Sequence, residues 1–337
     1  MIHIVENTLR DGSYAVDFQF SSADVSAIVG GLDKLGFEWV EVGHGLGLGA
    51  YREARYGSSL EDDLGHIRAA VNAADQAKIG VFFIPGIGTM DDLVLAAEEG
   101  ISLVRIGINI NRFADARVFV EKAKELGLHT AVNLMKSYSV NSFEYSRIAS
   151  QIDQWRIADA IYLVDSAGCM RPDMVRNYIT RTRDFCQAPI GFHGHDNLSL
   201  AVANTLAAVD AGATYVDSCV RSMGRSAGNA QTEILVFLLR EMGCLDRSID
   251  LYDLYEFANR VVVSRMTRQQ GRSDEEIHIG VSRFHTSFMG IAVEVSEEFG
   301  VDVRRLIASM STINTLDPTR ELFRVVAKDL KEGQGLV

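Results

Sequence analysis

The chain has 337 residues, 47% hydrophobic and 23% charged, the proportions of a globular protein with a substantial core. Its formal net charge of −12 argues against nucleic acid or an anionic membrane surface as partner, and it contains no uninterrupted apolar run of the ~18 residues that would cross a membrane. Cys169, Cys186, Cys219 and Cys244 form no CxxC pair and no zinc-like spacing, so reduced thiols in a cytoplasm are expected; the start also lacks the basic-then-apolar pattern of a secretory signal.

Short β-branched or apolar runs alternate with longer amphipathic ones. The first strand, over 2–6, runs into Thr8-Leu9-Arg10-Asp11-Gly12, and a helix over 23–35 stops at Gly36. The second strand, 39–42, leads into the glycine-rich stretch 43–49 with no helix directly behind it. That stretch reads as a close-approach loop rather than a phosphate cradle. A strand at 80–84 precedes a helix at 91–99, with Thr89 placed as N-cap and Gly100 behind the helix end. Strand 103–107 is followed by helix 114–126 and Gly127, and strand 130–134 by helix 142–155. Strand 160–164 precedes helix 173–185, with Pro172 in its first turn. Strand 190–193 ends in His193-Gly194-His195-Asp196-Asn197, with Asn197 placed to cap a helix over 198–211 and Gly212 behind it. Strand 215–217 and helix 232–242 complete the alternation.

Eight strand–helix alternations predict an α/β fold, a (β/α)8 TIM barrel, over an open doubly wound sheet. Beyond residue 246 the alternation stops. Helices are predicted over 251–266, 288–299 and 320–330, with a polar stretch at 268–276. The expected division is a catalytic barrel over 1–246 and a helical extension over 247–337 that covers the barrel mouth or forms a dimer contact.

Arg10-Asp11, Glu41, His44, Arg105, Asp165-Ser166, His193, His195 and Asp217 are all predicted at the C-terminal ends of strands, the end that carries active sites in this fold. Alternate residues of a strand share a face, so His193 and His195 point the same way, about 6.6 Å apart along the backbone. With Asp11 as a third ligand they would leave coordination positions open, as a catalytic divalent metal needs. Arg10 would stand beside that metal as a fixed cation. The simpler readings are strand histidines satisfied by backbone groups and an arginine that only pairs with a neighbouring carboxylate.

Six motifs in order carry a resemblance: Thr8-Leu-Arg-Asp-Gly12, Glu41-Val-Gly-His-Gly45, Pro85-Gly-Ile-Gly-Thr89, Asp165-Ser-Ala-Gly168, His193-Gly-His-Asp-Asn197 and Gly224-Arg-Ser-Ala-Gly-Asn229. The chain resembles the DRE-TIM metallolyases, metal-dependent lyases and aldolases on a TIM barrel, and among them the 4-hydroxy-2-oxovalerate aldolases. The resemblance implies Asp11, His193 and His195 as metal ligands, with Asn229 as a further ligand, a group behind them, or simply a helix N-cap. It implies Arg10 on the enolate, Ser166 on the substrate carboxylate, and Phe82 and Ile84 along the substrate tail. In these aldolases a histidine follows the Arg-Asp-Gly motif one residue later and a tyrosine stands in the extension. Here those places hold Tyr14 and His285, so the acid/base pair is expected with its members exchanged, His285 as base and Tyr14 as orienting donor or acid.

The implied reaction is class II aldol cleavage or formation of the C3–C4 bond of a 4-hydroxy-2-oxoacid, giving a pyruvate enolate and an aldehyde. Oxygen-rich chelation beside two imidazoles suits Mn2+ first, with Mg2+, Co2+ or Zn2+ as alternatives. The resemblance also implies a homodimer and leaves an acylating aldehyde dehydrogenase partner open, because the extension is the least similar part. Two other readings compete. One is a Claisen-type condensation of an acyl-CoA with a 2-oxoacid, for which His285 is reminiscent and Ser13-Tyr14 is not. The other is a non-catalytic metal-binding barrel.

Overall fold

A computed structural model describes residues 2–245, 249–268 and 270–333. Eight parallel strands close a barrel in sequence order: β1 (His3–Glu6), β2 (Trp39–Val42), β3 (Lys78–Phe83), β4 (Leu103–Asn109), β5 (His129–Met135), β6 (Ala160–Asp165), β7 (Ile190–Gly194) and β8 (Tyr215–Ser218). Closure is made by β8 against β1, with His3 opposite Tyr215 and Glu6 opposite Ser218, and it rules out the open sheet. These strands are covered on both faces, which is why they read as near-continuous apolar runs instead of alternating ones.

Around the barrel lie α1 (Ser22–Leu35), α2 (Asp63–Ala73), α3 (Met90–Glu98), α4 (Arg117–Glu125), α5 (Ser142–Asp153), α6 (Pro172–Arg183), α7 (Ala201–Asp210) and α8 (Thr232–Glu241). Helix α2 has no counterpart in the sequence reading. Its inward positions Asp63, His66, Ile67 and Ala70 have helical spacing, but two of the four are polar, so no apolar stripe shows. His66 stays buried because its Nε2 lies 2.9 Å from the Phe20 carbonyl oxygen.

The cap at Thr89 is present as a reciprocal capping box with Asp92, and Pro172 opens α6. Asn197 is not a cap, a correction to its expected role. Helix α7 starts at Ala201, whose N–H donates to Asp196 Oδ1, while Asn197 Nδ2 donates to Ser226 Oγ and to the Glu276 carbonyl of the extension. Tertiary partners prevail over the local cap.

Arg105 also departs from its expected place at a strand end. It is the third residue of β4 and lies inside the barrel, where its guanidinium donates to both oxygens of Glu41 at 2.8 and 2.6 Å. It also donates to Asp217 Oδ2 at 2.6 Å and Asn7 Oδ1 at 2.8 Å. A buried charge survives only when paired and hydrogen-bonded in this way.

The expected boundary at 246/247 lies outside the described residues. Helix α9 (Leu251–Phe257) continues into one π-helical turn (Ala258–Val262) and a 3-10 turn (Val263–Arg265), so the helix expected over 251–266 is broken in three. Leu254, Phe257, Ala258 and Val262 pack into the apolar layer outside the barrel. Gly31 of α1 makes room, since a Cβ there would lie 2.2 Å from the Phe257 ring. From Phe284 onward the chain builds a separate cluster with Val295, Leu306, Met310 and Phe323. The helices there are α10 (Asp274–Ser282), α11 (Met289–Phe299), α12 (Val303–Ile313) and α13 (Arg320–Lys331). Helix α10 begins inside the polar stretch expected between helices; a capping box between Ser273 and Glu276 starts it. Among the described residues no helix is long and apolar enough to cross a membrane.

Candidate metal centre and catalytic pocket

Asp11 opens a 3-10 turn shortly after β1, while His193 lies in β7 and His195 just past its end. Strand β8 stands between the two, and closure of the barrel brings all three residues together. Asp11 Oδ2 lies 3.6 Å from His193 Nε2 and 3.9 Å from His195 Nε2, and the two Nε2 atoms are 3.4 Å apart. All three residues are buried, and they form a group able to hold a metal ion. Ligands at about 2.1 Å from one ion are separated by edges of roughly 3.0–3.5 Å, so small adjustments of these side chains would close a shell. The donor set is right as well. Asp217 Oδ2 lies 2.7 Å from His193 Nδ1 and accepts its N–H, the tautomer that leaves the Nε2 lone pair toward the cluster. With His195 carrying its proton on Nδ1, two nitrogen lone pairs and one carboxylate face a common point and make a cradle for a cation.

Electrostatics agree. Burial alone would raise the Asp11 carboxyl, but Arg10, the two histidines and Asn229 hold it well below the usual carboxylate range. Burial pushes His195 down to about 3, so its imidazole is neutral and ready to ligate. Asn229 donates from Nδ2 to Asp11 Oδ2 at 2.6 Å and to the Met223 carbonyl at 3.1 Å. It is not the cap of α8, whose N-cap is Gln231.

Arg10 is held on two sides. Its Nε donates to Glu41 Oε2 at 2.5 Å, its Nη1 lies 3.3 Å from Asp11 Oδ1, and its Cζ sits 4.6 Å from the centre of the Phe82 ring. Burial works against the guanidinium, and Glu41 and Asp11 more than offset it. Phe82 is thus a platform under Arg10 as well as a pocket wall.

A cavity of about 350 Å3 opens beside this cluster. It gathers Arg10, Asp11, Tyr14, Phe82, Ile84, Ser166, His193, His195 and His285 from the residues expected in the site. Gly45 and Gly47 shape its rim: a Cβ on Gly45 would lie 2.2 Å from the Tyr14 ring, and Gly47 has φ +84 with the Phe82 carbonyl equally close. The glycine-rich stretch is a close-approach loop, as its lack of a following helix suggested. Ser166 Oγ accepts from the Lys136 N–H at 3.0 Å, so among the described residues its own hydroxyl proton remains to be donated. His285 enters from the extension. Arg225 Nη2 lies 2.7 Å from its Nε2, and Ser287 Oγ 2.7 Å from its Nδ1. Burial, with Arg225 and Lys136 facing it, keeps this histidine well below its ordinary value.

Two residues expected at the mouth do other work. His44 stacks on Phe18 with ring centres 4.0 Å apart and accepts the Leu46 N–H, outside the cavity. Asp165 turns away to accept the N–H groups of Cys169 and Met170 at 3.0 and 2.8 Å, closing the loop after β6. Conversely, Lys136, Arg225, Asn109 and Asn133 line the cavity although sequence reasoning does not single them out. Lys136 follows β5 directly, so a count of polar residues just past strand ends could find it. Arg225 lies within the Gly224–Asn229 motif but in a loop whose direction no periodicity reveals. A larger cleft of about 850 Å3 elsewhere contains none of the three converging residues.

Residues 1–261 match the HMGL-like family. The 4-hydroxy-2-oxovalerate aldolase of Carboxydothermus hydrogenoformans is 37% identical over 331 residues, covering 98% of each chain. The enzyme of the same name from Geobacillus genomosp. 3 is 35% identical over 334 residues, covering 99% of this chain and 98% of that one. The crystallised N-terminal domain of a putative aldolase from Bacteroides vulgatus superposes with a TM-score of 0.75 at 26% identity, covering 90% of this chain and 99% of that chain.

Proposed function

The chain belongs to the HMGL-like family, and from that premise we propose how the residues at its barrel mouth divide the work of an aldolase. The reaction is metal-dependent cleavage or formation of the C3–C4 bond of a 4-hydroxy-2-oxoacid, with pyruvate and an aldehyde as the other side. The observation that carries this reading is the convergence of Asp11, His193 and His195 on one point, with Arg10 beside them, at the wall of a cavity.

Asp11, His193 and His195 would hold the metal. Asn229 supports Asp11 through Nδ2, and turning its amide over would present Oδ1, which has no partner among the described residues, to the cation instead. When bound, the metal supplies Lewis-acid polarisation of the substrate's 2-oxo group. Arg10, already fixed by Glu41 and Phe82, faces the enolate oxygen and stabilises charge that grows mainly in the transition state. Ser166 offers its free hydroxyl proton to the substrate carboxylate. His285, kept neutral, takes the proton from the 4-hydroxyl as the C3–C4 bond breaks, once its Nε2 is released by Arg225. Burial raises the Tyr14 hydroxyl above its ordinary value, which keeps it protonated and suits an orienting donor. Phe82 and Ile84 give the tail an apolar wall that excludes water.

Mn2+ is the first choice of ion, because the chelating substrate adds oxygens beside the two imidazoles, with Mg2+, Co2+ or Zn2+ as alternatives. Four free thiols accord with a reducing cytoplasm. A homodimer is part of the reading, supported by exposed Ile277 and Val281 one turn apart on α10; an acylating aldehyde dehydrogenase partner is left open.

The test is a Mn2+-supplemented screen of 4-hydroxy-2-oxoacids with pyruvate coupled to lactate dehydrogenase. Pyruvate release is expected, lost on chelation with EDTA and restored by Mn2+, and absent in Asp11→Asn. The presence of a histidine from the extension in the cavity keeps the Claisen alternative in view. Thiol release from acetyl-CoA with a 2-oxoacid, without aldol activity, would replace the aldolase reading.

A further inference from the structure

Two cations in the cavity have no carboxylate to neutralise them among the described residues. Lys136 is only 3% exposed. Its ammonium donates to the Leu316 carbonyl and lies 4.6 Å above the Phe288 ring, which leaves part of its three-donor capacity unused among the described residues. Arg225 donates to His285 Nε2, hydrogen-bonds the Tyr14 side chain and lies 5.7 Å from the Tyr14 ring centre; its guanidinium has five donors, so some remain for a ligand. Neither forms an ion pair within 4 Å among the described residues. Asp317, at the exposed rim, acts on Lys136 from a distance, and its Oδ1 accepts from Asn314. Arg10, by contrast, already has Glu41 and Asp11.

Lys136 is a buried charge with no paired carboxylate among the described residues, which is expensive, and the half-buried Arg225 on the same cavity adds to that cost. Burial, aided by Arg225, pushes Lys136 down to about 8, a sign of that cost. Seating a pyruvyl unit and a hydrocarbon tail does not by itself call for two cations here. The pyruvyl carboxylate already has the metal and the Ser166 hydroxyl.

We infer that Lys136 and Arg225 form a subsite for an anionic group on the aldehyde half of the substrate, so that the acceptor is an aldehyde bearing a carboxylate or a phosphate. The inference rests on the aldolase reading above and deepens it. In the condensing direction C3 of pyruvate forms a bond to the aldehyde carbon. The methyl proton leaves and the new 4-hydroxyl gains one, so no other reactant is needed. An anion drawn to Arg225 also competes with His285 for it, which frees Nε2 to act as base.

The experiment uses the Mn2+-loaded full chain and pyruvate, with matched acceptors: butanal against 4-oxobutanoate, and glyceraldehyde against its 3-phosphate. Exchange of the pyruvate methyl protons in D2O is followed separately, since it reports enolisation without any acceptor. We expect kcat/KM to favour one of the anionic aldehydes over its neutral match by about 100-fold, from two charge-assisted contacts; which pair shows the preference identifies carboxylate or phosphate. Lys136→Met is expected to lower that preference about tenfold and Lys136→Arg to keep it. Exchange with no preference in wild type overturns the anionic subsite and leaves the aldolase reading intact. A preference that survives in Lys136→Met makes Lys136 a tie to Leu316 and overturns its assigned role. No exchange and no condensation with any aldehyde overturns the aldolase reading, and this inference with it.

Discussion

His193 is held from behind as firmly as it would be from the front. Asp217 accepts from its Nδ1 and, through the same oxygen, from Arg105, so one carboxylate both fixes the imidazole tautomer and neutralises the barrel's buried arginine. Asp217→Asn is expected to weaken Mn2+ binding by about 10–100-fold, read by metal titration, because the amide can no longer hold the ring in one tautomer. At His285 the expected outcome separates chemistry from binding. His285→Ala should lower kcat by about 10²–10⁴-fold while the Mn2+ content of the purified protein stays unchanged. Full turnover in that variant would mean the exchanged acid/base pair does not operate. Asp11, His193 and His195 were legible because strand parity and a short motif constrain them locally. Arg225 and Lys136 were not, since a charged residue in a loop gives no sign of whether it faces solvent or a cavity.

Among the elements, the loop after β2 depends on α2. Asp63, in the first turn of that helix, accepts the Gly49 N–H at 2.6 Å and so anchors the glycine-rich stretch whose Gly45 meets Tyr14. Burial pushes the Asp63 carboxyl up to about 7. A folded-state value above the ordinary one near 3.8 means its contribution to stability is complete below that ordinary value and is lost as pH rises through about 7. Asp63→Asn keeps an acceptor for Gly49 without the ionisation. Its stability relative to wild type is therefore expected to rise between about pH 4 and 8 in denaturant titrations. The rise should reach a few kcal/mol, since each tenfold change in proton affinity is worth about 1.4 kcal/mol. A constant difference across that range would show that the carboxyl titrates normally. The same helix is hidden in the sequence because His66 and Asp63 occupy inward positions that a search for apolar periodicity scores as polar.

At the scale of the whole molecule, Arg105 fastens β4 to Glu41 of β2, Asp217 of β8 and Asn7 beyond β1, across the barrel interior. Arg105→Ala leaves two buried carboxylates short of their cation and is expected to cost about 3–5 kcal/mol in global unfolding, measured by denaturant titration. Loss of less than about 1 kcal/mol would mean that water or rearranged partners replace it. The extension adds its own apolar cluster and reaches over the mouth with His285 and Phe288, joining the barrel through Lys136 and Asn197. The sequence by itself determined the strand count, the barrel and the shared face of His193 and His195, because covalent geometry fixes which side chains of a strand share a face and where a strand ends. Only the tertiary structure decided which polar residues stand in the pocket and which serve the core. Those roles depend on which charge comes to lie opposite which, and closure of the barrel together with docking of the extension sets that.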